Sequence, residues 1–149
     1  AVILTIGALL CYYAYLMQID VKYATKYSNV FASYDIKQVD AYLNESTIIT
    51  YKGISKTYGE LRENVVNAFK EKNFSMTPGS SYGHGNNKFV NGVQEVGILV
   101  YVDYSKNENN DESVTMQLEK RGLNKFTVKS LSGDGDFYGY LFFGIDNKE

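Results

Sequence analysis

Residues 27–53 read YSNVFASYDIKQVDAYLNESTIITYKG, and their pattern decides the fold class. Counted from Tyr23, the residues Tyr27, Val30, Phe31 and Tyr34 recur at helical spacing, which predicts a helix over 22–34 with one apolar face. Asp35 then precedes a second apolar series, Ile36, Val39, Tyr42 and Leu43. With Gln38 three residues on, Asp35 reads as the N-cap of a second helix ending near Asn44. The β-branched run 47–51 follows as a strand, closed by Lys52-Gly53.

Downstream, Thr57-x-x-Glu60 is a capping box that opens a helix over 58–72, with Leu61, Val65, Ala68 and Phe69 as its buried stripe. Asn73 reads as its left-handed stop. A short apolar piece, 74–76, leads into the Gly/Ser/Asn-rich stretch 78–87, expected as the loosest loop of the chain. Asn91-Gly92 suits a tight hairpin turn. In the strand 93–104, Val96, Ile98, Val100, Val102 and Tyr104 share one face, and Leu99, Tyr101 and Asp103 the other. The acidic, Asn-rich 105–112 is expected as a solvated loop. Val114, Met116 and Leu118 mark a strand ending near Arg121-Gly122, and Phe126 and Val128 mark another. The run 132–136 reads as a turn, Phe137 to Phe143 as a last aromatic strand, and 145–149 as a polar tail. Helices segregated from a mostly antiparallel sheet predict an α+β domain over 21–149, its helices packed on the sheet's apolar face.

Upstream, residues 1–19 contain no Asp, Glu, Lys or Arg. A run of roughly 18 or more apolar residues is long enough to cross a bilayer as a helix. The first expectation is therefore a membrane anchor over 1–19, with Tyr12, Tyr13 and Tyr15 toward one interface. A cleaved signal segment, a lipoprotein cut before Cys11 and a buried core helix are the competing readings. Lys22 and Lys26 follow the run, which by the positive-inside rule points to a cytoplasmic domain. The sequence opens at Ala1 without an initiator Met, however, and a single-pass anchor with an extracytoplasmic domain is the expectation adopted.

Composition narrows the function classes. The net charge of −2, with both signs interspersed, argues against nucleic-acid binding. Cys11 is the only cysteine and lies in the apolar run, so the domain has neither a disulfide nor a thiol site. Fourteen tyrosines and eight phenylalanines, with no tryptophan, leave aromatic packing to carry much of the core.

From about Tyr23 to Leu131 the chain resembles the nuclear-transport-factor-2-like superfamily, whose fold is also called the cystatin-like cone. The likeness rests on the stretch 27–53, on the capped helix TYGELRENVVNAFKE and on VTMQLEKRGLNKFTVKSL, where LEKRGLNKFTV is similar to the family's final hairpin. Phe126 stands where many members have a tryptophan. The C-terminal FYGYLFFG adds a strand or covers an edge. The resemblance implies a fold, not an activity. It implies a cone-shaped domain with a cavity and a sheet face open to pairing, and in some enzymes of the superfamily a carboxylate inside the cone.

Candidate chemistry is sparse. His84, the only histidine, lies between glycines without an evident partner and is expected as an exposed loop residue. Asp134-Gly135-Asp136 lacks the downstream Glu of a calcium loop. Asp35 reads as a cap, while Asp40 lies beside the same helix junction and Asp103 points into the cone or out of it. Gly83, Gly85 and Gly92 are not followed by the Gly-Lys-Ser/Thr of a phosphate loop. Tyr34, Tyr42, Tyr51 and Tyr101 are the candidate pocket lining. No catalytic residue, metal ligand or cofactor is assigned. The expected function is a non-enzymatic, membrane-tethered domain binding a ligand, a protein partner or a second copy through its sheet face. One anchor helix before a cone is also similar to the assembly subunit of type IV secretion or conjugation machines. A small hydrolase or isomerase is the alternative, and it requires Asp35, His84 or Asp103 to point into an enclosed cavity.

Overall fold

The computed structural model describes residues 1–79, 81–106 and 108–146, with the side chain of Ser81 left aside. The last three residues of the expected polar tail, 147–149, lie outside them. Among the described residues, four helices and seven strands follow in the order α1 (Val2–Ala32), α2 (Ile36–Tyr42), β1 (Leu43–Tyr51), β2 (Ile54–Thr57), α3 (Tyr58–Glu71), β3 (Ser75–Met76), β4 (Ser81–Val90), β5 (Val93–Lys106), β6 (Glu108–Gly122), β7 (Lys125–Gly133) and α4 (Asp136–Phe143).

The apolar run and the first domain helix are one unbroken 31-residue α1. Tyr34 turns the chain at φ 54°, and Asp35 caps α2 by accepting from the Lys37 amide at 3.0 Å. At α3 the predicted box is present in full. Thr57 Oγ1 accepts from the Glu60 amide, while the Glu60 carboxylate accepts from the Thr57 amide at 2.8 Å. The left-handed stop falls on Lys72, at φ 51°, one residue before the expected Asn73.

The strands form one curved mixed sheet in the order β2-β1-β7-β6-β5-β3, with β4 also pairing with β5. All pairs are antiparallel except β1 with β7, which run parallel. Lys52-Gly53 turns β1 back into β2, a strand the sequence reading lacks; φ is 47° and 81° at the two positions. Inward-facing Val96, Ile98, Val100, Val114, Met116, Leu118, Val128 and Leu131 are all buried, under α1, α3 and α4.

Three expectations are corrected. The loose stretch 78–87 is mostly strand: β4 pairs with β5 from Ser81 to Val90, with a bulge between His84 and Asn87. Its glycines suit close backbone approach, since a Cβ on Gly85 would stand 2.9 Å from the Gly97 carbonyl oxygen. The expected loop 105–112 extends the β5–β6 hairpin, with Lys106 opposite Glu108 and Asp103 opposite Asp111. The last aromatic strand is instead helix α4, whose residues 137–142 are buried on every side. A short continuous apolar run carries no period that separates a buried strand from a buried helix.

Candidate functional site

The concave side of the sheet, where a cone would hold a ligand, is filled by aromatic side chains. Phe31 from α1 meets Phe142 edge-on at 5.5 Å between ring centroids and Phe69 at 6.5 Å. Phe74 packs on Phe137 at 5.0 Å, and Phe137 stacks on Tyr104 at 4.5 Å. Helix α4 supplies Phe137, Tyr138 and Phe142 to this layer and acts as a plug. Gly139 admits it, because a Cβ there would meet the Tyr51 ring at 2.6 Å. Gly144 closes the helix at φ 65°.

The plug is held by a carboxylate from the sheet. Glu112, at the end of the inward-facing row of β6, accepts from the Tyr138 amide at 2.7 Å and the Phe137 amide at 3.2 Å. It takes the place of an N-cap side chain, which Gly135 cannot supply, and a Cβ on Gly135 would overlap it. Burial raises the Glu112 carboxyl to about 7, against the lowering pull of the two amides, and neighbouring Asp136 raises it further. Burial likewise raises the Tyr138 phenol.

A second polar constellation joins α1 to β4. Asp20 is buried, and its Oδ2 lies 2.9 Å from Nδ1 of His84, whose own side chain is 38% exposed. The other carboxylate oxygen, Oδ1, has no hydrogen-bond partner. Nearer the chain start, Asn87 donates to the Tyr12 hydroxyl and accepts from Gln94. His84 is exposed as expected, but it is a strand residue with a buried acidic partner, a correction of the partnerless loop residue expected. With 78–87 read as a loop, the sequence offers Asp20 no partner. One signal was available: Asp20 shares a helical face with Tyr23 and Tyr27.

The remaining candidates disperse. Asp35 is exposed and serves as the α2 cap. Asp40 is exposed and receives Arg62 in a two-pronged pair at 2.8 Å for each bond, together with the Tyr58 hydroxyl at 2.9 Å. Arg62 holds the Asp40 carboxyl below its usual range, and burial with Asp40 alongside raises the Tyr58 phenol. Asp103 faces outward, onto an open polar groove of about 450 Å³ at the β5–β6 tip that Asp111 and Ser75 also line. Asp134 and Asp136 flank the start of α4, and no group of three or more acidic, His or Cys side chains fit to hold a metal occurs among the described residues. Of the four tyrosines, Tyr42 and Tyr51 are core residues. The Tyr42 hydroxyl donates to the Tyr23 carbonyl at 3.2 Å. Tyr34 donates to the Phe74 carbonyl at the α1–α2 junction, and Tyr101 is 42% exposed on the outer sheet face. The four stand in separate places.

The first half of α1 differs from all of this. Residues 1–14 are exposed, including Ile3 at 85% and Leu4 at 80%, and Cys11 is exposed among them. Burial begins at Leu16.

No protein-family model matches the sequence, and no curated protein matches it. Solved structures match by shape. A domain of unknown function with a cystatin-like fold from Nostoc punctiforme is 13% identical, with a TM-score of 0.55 over 85% of each chain. A nuclear-transport-factor-2-like protein of unknown function in nutrient uptake from Rhodospirillum rubrum is 9% identical, with a TM-score of 0.52 over 75% of this chain and 93% of that one. A ketosteroid isomerase-like protein from Erwinia carotovora atroseptica is 12% identical, with a TM-score of 0.51 over 78% and 93%. At such identities the likeness extends to the fold: behind its apolar lead, this chain has the nuclear-transport-factor-2-like, or cystatin-like, cone fold.

Proposed function

We propose that the protein is a membrane-anchored, extracytoplasmic and non-enzymatic cone that binds a protein partner on its outer surface. The observation that carries this reading is the exposed apolar half of α1, joined without a break to the cone. The helix contains an apolar 18-residue stretch, only 11% of it buried, which is long enough to cross a bilayer and costly to leave in water. The aromatic filling of the concave side supports a role for the outside of the cone rather than its interior. The test is fractionation of cells carrying the full chain, followed by alkaline extraction, protease protection and in-cell crosslinking from Tyr101. Retention in the extracted membrane, cleavage only from the outer side and one discrete crosslinked species support the proposal. Release of the chain by alkali overturns the anchor, and protection from outside protease overturns the orientation.

One observation favours the hydrolase or isomerase alternative: the buried Asp20 beside a half-exposed His84 has the form of an oriented base. On that reading His84→Ala abolishes turnover of an ester or ketosteroid panel. On the first reading neither protein turns over any of them.

A further inference from the structure

We infer that the end of the cone where α1 emerges is a second membrane contact, a foot that sets the domain down on an anionic lipid surface. This inference rests on the anchor reading above and adds a site to it.

The register of α1 against β4 fixes which end of the cone faces the bilayer. Asn29 accepts from the Gly79 amide, Asp20 meets His84 and Tyr12 meets Asn87, so helix and strand run antiparallel. Following β4 onward from Asn87 therefore follows α1 back toward its apolar half and ends at the hairpin turn Asn91-Gly92. Phe89, two residues past Asn87 and so on the same side of the strand, is 70% exposed beside that half. On the other flank, Asn124 of the β6–β7 turn shares a surface cleft with Tyr15, Ile19 and Tyr23 of α1. Leu123 at this turn is 85% exposed. Two hairpin tips with large apolar side chains thus stand on either side of the emerging helix.

No linker separates the two. On the α1 face turned from the cone, the exposed apolar stripe Leu10, Tyr13, Met17 and Val21 continues past the level where burial begins at Leu16. Tyr12 already touches Asn87, so lipid that reaches Leu10 and Tyr13 at the start of that stripe reaches the hairpin tips as well.

Charge points the same way. Lys22, Lys88, Arg121 and Lys125 are exposed around the tips, and Lys120 is half-buried there. The acids Glu95 and Glu119 pair with Lys88, Lys129 and Arg121, so the cations named here, with Lys129, outnumber these two acids. Exposed acids gather at the opposite end, at Asp103, Glu108, Asp111 and Asp134. A positive end with apolar tips fits an anionic bilayer and turns the acidic end away from it.

Because the chain has no tryptophan, Phe89→Trp and Leu123→Trp each create a lone reporter. Ile54→Trp, an exposed site beside the far turn at Lys52-Gly53, is the control. The full-length variants are reconstituted into vesicles of phosphatidylcholine with phosphatidylglycerol, with and without lipid brominated near the headgroup. The expected result is quenching at both tips and none at the control. Adding Lys88→Gln or Lys125→Gln lowers the docked-to-lifted ratio about fivefold each, as does replacing the anionic lipid in part. Chains that float with the vesicles but show unquenched tips overturn the foot and leave the anchor standing. A tip emission that shifts to the blue without quenching also overturns it, in favour of a protein contact. Chains that do not float overturn the anchor reading itself, and the foot with it.

Discussion

The two halves of α1 have the same backbone and opposite surroundings. From Leu16 to Phe31 the helix alternates buried and exposed residues at helical spacing and seats Tyr23, Tyr27 and Phe31 in the core. Before that, Val2, Ile3, Leu4, Ile6, Leu9 and Leu10 are all more than half exposed. A stripe means the helix covers something; an all-round apolar surface means something must cover the helix. The difference teaches where the folded domain stops, although the helix does not.

The comparison breaks most sharply if the buried half proves dispensable. Phe31→Ala should cost about 3–5 kcal/mol of domain stability, read by denaturant melts in detergent, because Phe31 is fully buried among Tyr27, Phe69 and Phe142. His84→Ala comes next. It leaves the buried Asp20 carboxylate without a partner and should cost about 1–3 kcal/mol. His84→Gln should recover part of that loss in the same melts.

A third measurement asks whether the plug is held as described. The carboxyl of Glu112 is raised to about 7 in the folded state, while in the unfolded chain it keeps its ordinary lower value. Between those two values the folded protein binds the extra proton, so stability is greatest on the acid side and falls as pH rises through about 7. Glu112→Gln should flatten that part of the profile and leave the protein relatively more stable at pH 8. A slope that survives the substitution would place the titration elsewhere. Thr57→Ala should cost about 1 kcal/mol through the lost α3 cap. Smallest of all, Leu10→Ala should leave the melt within about 0.5 kcal/mol of the parent, because Leu10 is 65% exposed. On the anchor reading its effect belongs to lipid partitioning, which vesicle flotation reads.

What could be read from the sequence was what local physics dictates. Asp35 and Thr57 cap where their side chains reach the next amides, and Asn91-Gly92 turns because both residues tolerate positive φ. The alternation along β5 and β6 settled the inward face before any neighbour was known. What could not be read depended on distant partners. Residues 81–87 are glycine- and asparagine-rich, and become strand because β5 offers a full edge to pair with. Residues 137–142 carry apolar groups at nearly every position, and their helix is set by Glu112 at one end and Gly144 at the other. The Asp20–His84 contact spans 64 residues of sequence and needs both α1 and β4 in place. Even the likeness to a cone could not anticipate that α4 would occupy its hollow.

The continuity of α1 across Tyr15 has a rotational consequence. With 3.6 residues per turn, a single residue inserted between the two halves would swing the cone by roughly 100° about the helix axis and lift it by about 1.5 Å. The compass bearing of every surface on the cone, relative to whatever grips the exposed half of the helix, is thus written into the residue count of one helix.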